Sequence, residues 1–285
     1  MECRKAKLDL GRRHVMTILN VTPDSFFEGS RTSEAEAIGE RAREAIEAGA
    51  TIIDVGGYSS RPNAEEVSIE EEWRRVDLGV GVVRSITDSI SKEVAISVDT
   101  FRAEVVRRAV EKYGEEIIVN DIMAGEWDRD GESEPMFDIV AKHNLCYIAM
   151  HMRGTPQSMQ SMVEYRDVAE EVIEYFRERI KVMRDHGVER IILDPGFGFA
   201  KSLKQNYELL AALPRLCELG YPVLAGLSRK SMIYRALEIE TKDALAGTIA
   251  LGWEALRQGA TILRVHDTIE AVQSVKLYEI YNRVK

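Results

Sequence analysis

Short apolar runs alternate along the chain with longer stretches whose apolar positions recur at helical spacing. Residues 15–20 read as a strand and 22–31 as a loop. Ser33 and Glu36 then have the spacing of a capping box, opening a helix with Ala35, Ile38, Ala42 and Ile46 on one face and ending at Gly49. Residues 51–55 read as the second strand and 56–63 as its loop. A second box, Ser68 with Glu71, starts a helix that carries Trp73, Val76, Val80, Val83 and Ile86 inward. The unit recurs with a strand at 94–98 and a helix at 102–113, then a strand at 116–120 and a short helix at 137–143. It continues with a strand at 146–150 before a long helix with Val168, Val172, Ile173, Phe176, Ile180 and Met183 on its inner face. Strands at 191–193, 222–226 and 261–265 complete the pattern, with helices near 207–213, through 253–258, and from the last strand to the C-terminus.

Strict strand–helix alternation implies a parallel sheet, either open and doubly wound or closed as a (β/α)8 barrel. Eight repeats and a length of 285 residues favour closure, as does the scatter of chemistry-bearing residues. An open sheet concentrates its chemistry at one switch point. Here Asn20, Asp54, Asp99, Asn120, His151, Asp194, Lys230 and His266 fall at or just beyond the ends of successive strands. The expectation is an α/β protein with a TIM barrel fold, a single domain over 1–285.

Composition narrows the function. A formal net charge of −10 argues against a nucleic acid or an anionic membrane surface as partner and favours a small metabolite. No apolar run has the length of a membrane span and the N-terminus lacks the apolar core of a signal peptide, so a cytoplasmic protein is expected. Cys3, Cys146 and Cys217 are odd in number and form no Cys-x-x-Cys pair, which reads as buried reduced thiols. The histidines show no His-Glu-x-x-His spacing, and His186 before Gly187 suits a helix C-terminus.

The run Ile191-Ile192-Leu193 ends in Asp194-Pro195-Gly196-Phe197-Gly198-Phe199. Asp194 is therefore either a turn former or an acceptor presented at a strand end. Asp99-Thr100 is either a helix cap or a site carboxylate, Asn120-Asp121 a turn or a ligand pair, and Arg229-Lys230 a solvated pair or site cations. Arg264 is a phosphate-binding candidate or an ion-pair partner at the rim. Gathered at one mouth, carboxylates, amides and cations suit a flat, donor-rich head with an anionic tail. With neither a Walker sequence nor Gly-x-Gly-x-x-Gly in the chain, side chains and scattered amides must hold the phosphate.

The segments Leu19-Asn-Val-Thr-Pro-Asp-Ser-Phe26, Asp54-Val-Gly-Gly57 with Ser60-Arg-Pro62, Ser97-Val-Asp-Thr100, Met150-His-Met-Arg-Gly-Thr-Pro156, Asp194 to Phe199, Ser228-Arg-Lys-Ser231 and Arg264-Val-His266 resemble the motifs of the dihydropteroate synthase family, in its order and across nearly the whole chain. The resemblance implies a (β/α)8 barrel of folate biosynthesis. Such an enzyme joins 6-hydroxymethyl-7,8-dihydropterin pyrophosphate to p-aminobenzoate, with Mg2+ on the leaving group, usually as a homodimer. It implies that Asp194 takes the N–H edge of the pterin, Asn120 and Asp99 its other edge, and Lys230 its carbonyl and ring nitrogen, with Met150 also at the pterin. Arg264 would stack on the ring and, with Arg61 and His266, hold the pyrophosphate. Asn20 would bind the metal or its phosphate. Phe26, Ser60, Pro62 and Phe199 would line the p-aminobenzoate site beside Lys230, with Ser231 meeting the carboxylate. Asp99, Asp194, Lys230 and Arg264 would carry the chemistry.

The chain departs from the family pattern at Glu28, Tyr58, Ser60, Asn63 and Ala200, where Asp, Glu, Thr, Gly and Gly are usual. Several of these fall in the second loop, so they bear on p-aminobenzoate and its sulfonamide mimics. The rival readings are a pterin-binding methyltransferase using methyltetrahydrofolate, a non-catalytic pterin-binding paralogue, and a Schiff-base aldolase built on Lys230.

Overall fold

The computed structural model describes residues 2–3, 8–22, 31–58, 66–90, 92–127, 134–155 and 158–284. A small antiparallel hairpin, β1 (Glu2–Cys3) and β2 (Leu8–Asp9), precedes β3 (His14–Asn20), α1 (Arg31–Ala48), β4 (Ile52–Gly56), α2 (Ile69–Ile90), β5 (Ala95–Asp99) and α3 (Ala103–Tyr113). Then come β6 (Ile117–Asp121), α4 (Met136–Lys142), β7 (Cys146–Met150), α5 (Val168–Asp185), β8 (Arg190–Asp194), α6 (Leu203–Ala211) and α7 (Leu213–Cys217). β9 (Leu224–Ala225), α8 (Ser231–Tyr234), α9 (Leu245–Arg257), β10 (Ile262–Val265) and α10 (Thr268–Arg283) complete the chain. Among the described residues, eight strands, β3 to β10, run parallel in the order β8-β7-β6-β5-β4-β3-β10-β9. The circle closes through a bridge between Leu193 and Val223, where the Leu193 N–H donates to the Pro222 carbonyl at 2.9 Å. The expected (β/α)8 barrel forms.

The period-two alternation of the strands divides the core into two layers. Met16, Ile52, Ala95, Ile118, Ile148, Ile192, Leu224 and Ile262 share one buried cluster inside the barrel, joined by Cys3, Leu8 and Leu10 of the hairpin region, which close its floor. The intervening residues, among them Val15, Ile53, Val55, Val98, Val119, Tyr147, Ile191 and Leu193, pack outward against the helices. That outer layer is tight. A Cβ at Gly79 of α2 would lie 2.6 Å from Val55 Cγ1 and 2.9 Å from Val21 Cγ2, so only glycine lets α2 settle on β4.

Several expectations are corrected. α1 begins at Arg31, ahead of the box predicted at Ser33 and Glu36, because no Pro or Gly stops the helix from running back. At α2 the Glu71 N–H donates to Ser68 Oγ at 3.2 Å, but the Glu71 carboxylate turns instead to Arg74 and Arg75, leaving the second half of the box unmade. α6 starts at Leu203 rather than near Tyr207, capped reciprocally by Ser202 and Gln205. The helical region leading to Trp253 is broken into α8, a 3-10 turn at Thr241–Asp243, and α9.

The cysteines are also corrected. Cys3 and Cys146 form a disulfide, while Cys217 is free. A separation of 143 residues hid the pairing, which exists because the hairpin folds under the barrel and brings Cys3 to the first residue of β7. Closing so long a loop restricts the unfolded chain strongly. Cys3→Ser is expected to cost about 2–5 kcal/mol in urea denaturation under non-reducing conditions, and an unchanged midpoint would count against a stabilising bond.

Candidate active site

The inner face of each strand passes from the apolar floor to polar residues at the C-terminal end. Stepping by two leads from Ile52 to Asp54, from Ala95 through Ser97 to Asp99, from Ile118 to Asn120, from Ile148 to Met150, from Ile192 to Asp194 and from Ile262 to Arg264. Register then aligns Asn20, Gly56, Asp99 and Asn120 across four neighbouring strands, and Met150 with Asp194 across the next pair. Gly56 leaves this row open. A Cβ there would lie 3.5 Å from both Asn20 Oδ1 and Asp99 Cβ.

Arg264 organises one half of the mouth. Its Nε donates to Asp54 Oδ2 at 2.7 Å and its Nη2 to Asp99 Oδ2 at 2.6 Å, while Asn120 Nδ2 donates to the same Asp54 oxygen at 3.1 Å. Asp54 is fully buried, and its Oδ1 has no hydrogen-bond partner. Sequence reasoning set Asp54 at a strand end but gave it no role, although its position two residues after Ile52 put it on the inner face. Asp99 is not a helix cap: Arg102 takes that position, and Thr100 Oγ1 accepts from the Arg102 N–H at 3.1 Å and donates to buried Glu72 at 2.6 Å. Asn120 is free of the turn role, because Asp121 accepts the Met123 and Gly125 N–H groups and the Tyr147 hydroxyl. Burial pushes Asp99 up to about 7 against the pull of Arg264, with Asp54 adding to the rise.

The other half is built around Asp194 and Lys230. Asp194 Oδ1 accepts the Gly196 N–H at 2.8 Å, so the turn and the site both use this carboxylate. Lys230 Nζ donates to the Phe197 carbonyl and sits 4.8 Å from the Phe199 ring centroid. A Cβ at Gly226 would lie 3.6 Å from Lys230 Nζ and 4.0 Å from Asp194 Oδ2, so glycine keeps open the space beside both groups. Burial raises Asp194, with Lys230 opposing, and lowers Lys230 to about 8, with Asp194 opposing. Arg229 is not a solvated partner of Lys230, for its guanidinium engages Asp267 at 2.6 Å.

Met150 is buried in a third cluster with Phe101, Met152 and Ala200, against which Phe199, Tyr58 and Trp127 pack. Phe197 is fully buried and serves packing. Tyr58 lies edge-on to Phe101 at 5.0 Å. His266, at the rim, is held through Nδ1 by Ser228 Oγ at 3.1 Å, and Ser231 opens α8 immediately after Lys230. Phe26, Ser60, Arg61 and Pro62 lie outside the described residues, as do Glu28 and Asn63.

Comparison with known proteins agrees with this geometry. The profile of the pterin binding enzyme family matches residues 16–266. A dihydropteroate synthase of Escherichia coli K12 is 45% identical over 275 residues, 95% of this chain and 93% of that protein. Among solved structures, Xanthomonas albilineans dihydropteroate synthase with 4-aminobenzoic acid is 38% identical, with a TM-score of 0.87 over 99% of this chain and 98% of that one. The same enzyme in complex with 7,8-dihydropteroate is 36% identical, with a TM-score of 0.84 over the same shares.

Removing the guanidinium from this layer strands the buried Asp54 carboxylate. Arg264→Met is expected to cost about 3–5 kcal/mol of stability, measured by chemical denaturation. A loss below about 1 kcal/mol, the range of exposed pairs, would show that the cluster is solvated.

Proposed function

The chain belongs to the pterin binding enzyme family, among its dihydropteroate synthases, and from that membership we propose how its residues carry out the reaction. The enzyme condenses 6-hydroxymethyl-7,8-dihydropterin pyrophosphate with p-aminobenzoate, releasing pyrophosphate and 7,8-dihydropteroate. The observation that carries the residue assignment is the facing of Asp194 and Lys230 around Gly226, beside the layer of Asp54, Asp99, Asn120 and Arg264. Relatives bearing the synthase name cover nearly the full length, so the methyltransferase, paralogue and aldolase readings are not favoured.

Asp194 accepts from adjacent N–H groups of the pterin, Asn120 and Asp99 meet the other edge, and Lys230 donates to the carbonyl and ring nitrogen. Met150 and Phe199 form apolar walls. Arg264 lies against the ring and, with Arg61 and His266, holds the pyrophosphate. Phe26, Ser60, Pro62 and Phe199 line the p-aminobenzoate side, with Lys230 beside it and Ser231 toward the carboxylate. Pyrophosphate leaves first, and the cation remaining on the dihydropterin is stabilised by Asp99 and Asp194 until the aniline nitrogen attacks.

For Mg2+, Asn20 offers a single carboxamide oxygen, and no trio of His, Cys, Asp or Glu among the described residues could hold an ion alone. That fits a cation that keeps several waters and takes its other oxygens from substrate phosphates. Bound there, it would neutralise charge on the leaving group.

A cytoplasmic location suits a phosphorylated substrate. No helix among the described residues is long and apolar enough to cross a membrane. The Cys3–Cys146 bond is buried and so shielded from reductants.

A homodimer is supported by the stripe Leu277, Ile280, Tyr281 and Val284 on and just after α10, all at least half exposed at helical spacing beside Trp253 of α9. Leu277→Lys with Ile280→Lys is expected to halve the particle mass in sedimentation equilibrium; a wild-type monomer would remove the assignment.

The synthase reading is tested by single-turnover pyrophosphate release, with and without Mg2+ and p-aminobenzoate. Product should require both substrates, release should fall when Mg2+ is chelated, and a first burst should persist without the aniline. Absence of any aniline-containing product would sink the reading, and a burst that required the aniline would sink the dissociative order. Asp194→Asn is expected to weaken pterin binding by roughly 100-fold or more with an unchanged circular dichroism spectrum.

A further inference from the structure

The turn after Asp194 is built from carbonyls aimed at ammonium groups. Lys201 is buried, and its Nζ donates to the Phe199 carbonyl at 2.9 Å, the Gly196 carbonyl at 3.0 Å and His151 Nδ1 at 3.0 Å. Those bonds use the whole donor capacity of an ammonium. In addition, Lys230 takes the Phe197 carbonyl, and Asn206 Oδ1 accepts the Gly198 N–H at 2.6 Å. The backbone needs such holding. Gly196, Gly198 and Ala200 all lie at positive φ, 68°, 82° and 49°. Gly196 is pressed onto the end of β7, where a Cβ would lie 2.0 Å from the His151 carbonyl oxygen. Ala200 is buried in a conformation that residues with a side chain rarely adopt.

His151 belongs to the loop after β7, so the Lys201 ammonium ties that loop to the one after β8. The ring is fixed by Tyr175, edge-on at 4.9 Å. Burial, reinforced by Lys201, lowers His151 well below its usual value, leaving it neutral and able to accept at Nδ1. Burial also lowers Lys201, to about 7, with Asp194 opposing and Lys230 and Arg153 adding to the fall.

We infer that Lys201 is a positioning residue for the pterin site: clamped by His151, it locks the 195–200 turn in the one shape that holds Asp194 and Phe199 where substrate meets them. Lys201 touches no substrate itself and acts through these two residues. The inference rests on the assignment of Asp194 to the pterin. A lysine with a purely structural role would only offset the strain at Ala200, and the two roles separate when that strain is removed.

The test is the affinity of wild type, Lys201→Met and Ala200→Gly with Lys201→Met for 6-hydroxymethyl-7,8-dihydropterin, which lacks the pyrophosphate and is not turned over. It is measured by fluorescence across pH 5.5 to 6.5, on the acid side of the lowered Lys201 titration, beside thermal melts. Lys201→Met is expected to weaken binding by roughly 10- to 100-fold, the scale of a small displacement of binding groups. The double variant is expected to recover melting temperature without recovering affinity. If Lys201→Met does not fold, the double variant alone is compared with wild type. Wild-type affinity in either variant would overturn the role of Lys201. Failure of the wild type itself to bind the pterin would instead overturn the synthase reading.

Discussion

An inward-facing carboxylate in a closed barrel must be compensated by a group on the same inner face, and that constraint governs this mouth. Asp54 and Asp99 sit on neighbouring strands, with Asp99 one layer further toward the opening. Water cannot solvate Asp54. Arg264 reaches both from β10, past the intervening β3, with one nitrogen for each carboxylate. Arginine suits this place because its guanidinium stays charged on burial and spreads its donors over Nε and Nη2, so that one planar group spans two separated carboxylates. Behind this layer Glu72 and Arg102 form a second buried ion pair at 3.0 Å, which backs the end of β5 without entering the mouth.

The strand count, the closure and the placement of polar residues at strand ends were all legible, because buried parallel strands are written as local runs. Asp194, Asp99, Asn120, Lys230 and Arg264 could be placed at one mouth from those runs alone. Asp54 could have been ranked with them, since the rule that puts Ile52 inside puts Asp54 inside too. The pairing of Cys3 with Cys146 was not legible, for it depends on where the hairpin folds relative to a strand more than a hundred residues away. Helix starts moved at α1 and α6, whereas α2 starts just after Ser68 as expected even though Arg74 and Arg75 draw the Glu71 carboxylate away from its box.

The segment 194–201 shows why turn and site cannot be treated as rival explanations. Asp194 satisfies the Gly196 N–H with Oδ1, as a turn-forming aspartate does. That bond fixes the rotation of the carboxyl group, which sets the direction of Oδ2. The turn chemistry is therefore the means of presentation, and the carbonyls that the turn exposes are spent on Lys201 below and Lys230 beside it.

The buried carboxylates of the mouth favour a cation that is not yet there. Asp54, Asp99 and Asp194 stand with Arg264, Lys230 and, under the turn, Lys201 in a poorly hydrated space. Burial raises both Asp99 and Asp194, so each carboxylate is charged there at a cost. A neutral pterin leaves that cost in place. In the dissociative course proposed above, departing pyrophosphate takes its negative charge with it and leaves positive charge spread over the dihydropterin, beside Asp99 and Asp194. The interaction strengthens on going from bound substrate to transition state, and only such a difference lowers the barrier rather than tightening ground-state binding. Arg264 then has two effects that must be balanced. It pulls Asp99 down against burial in the empty site, yet it stands close enough to share Asp99 with the cation that forms. A second arginine in the same layer would stabilise the carboxylates already in the ground state and shrink the differential.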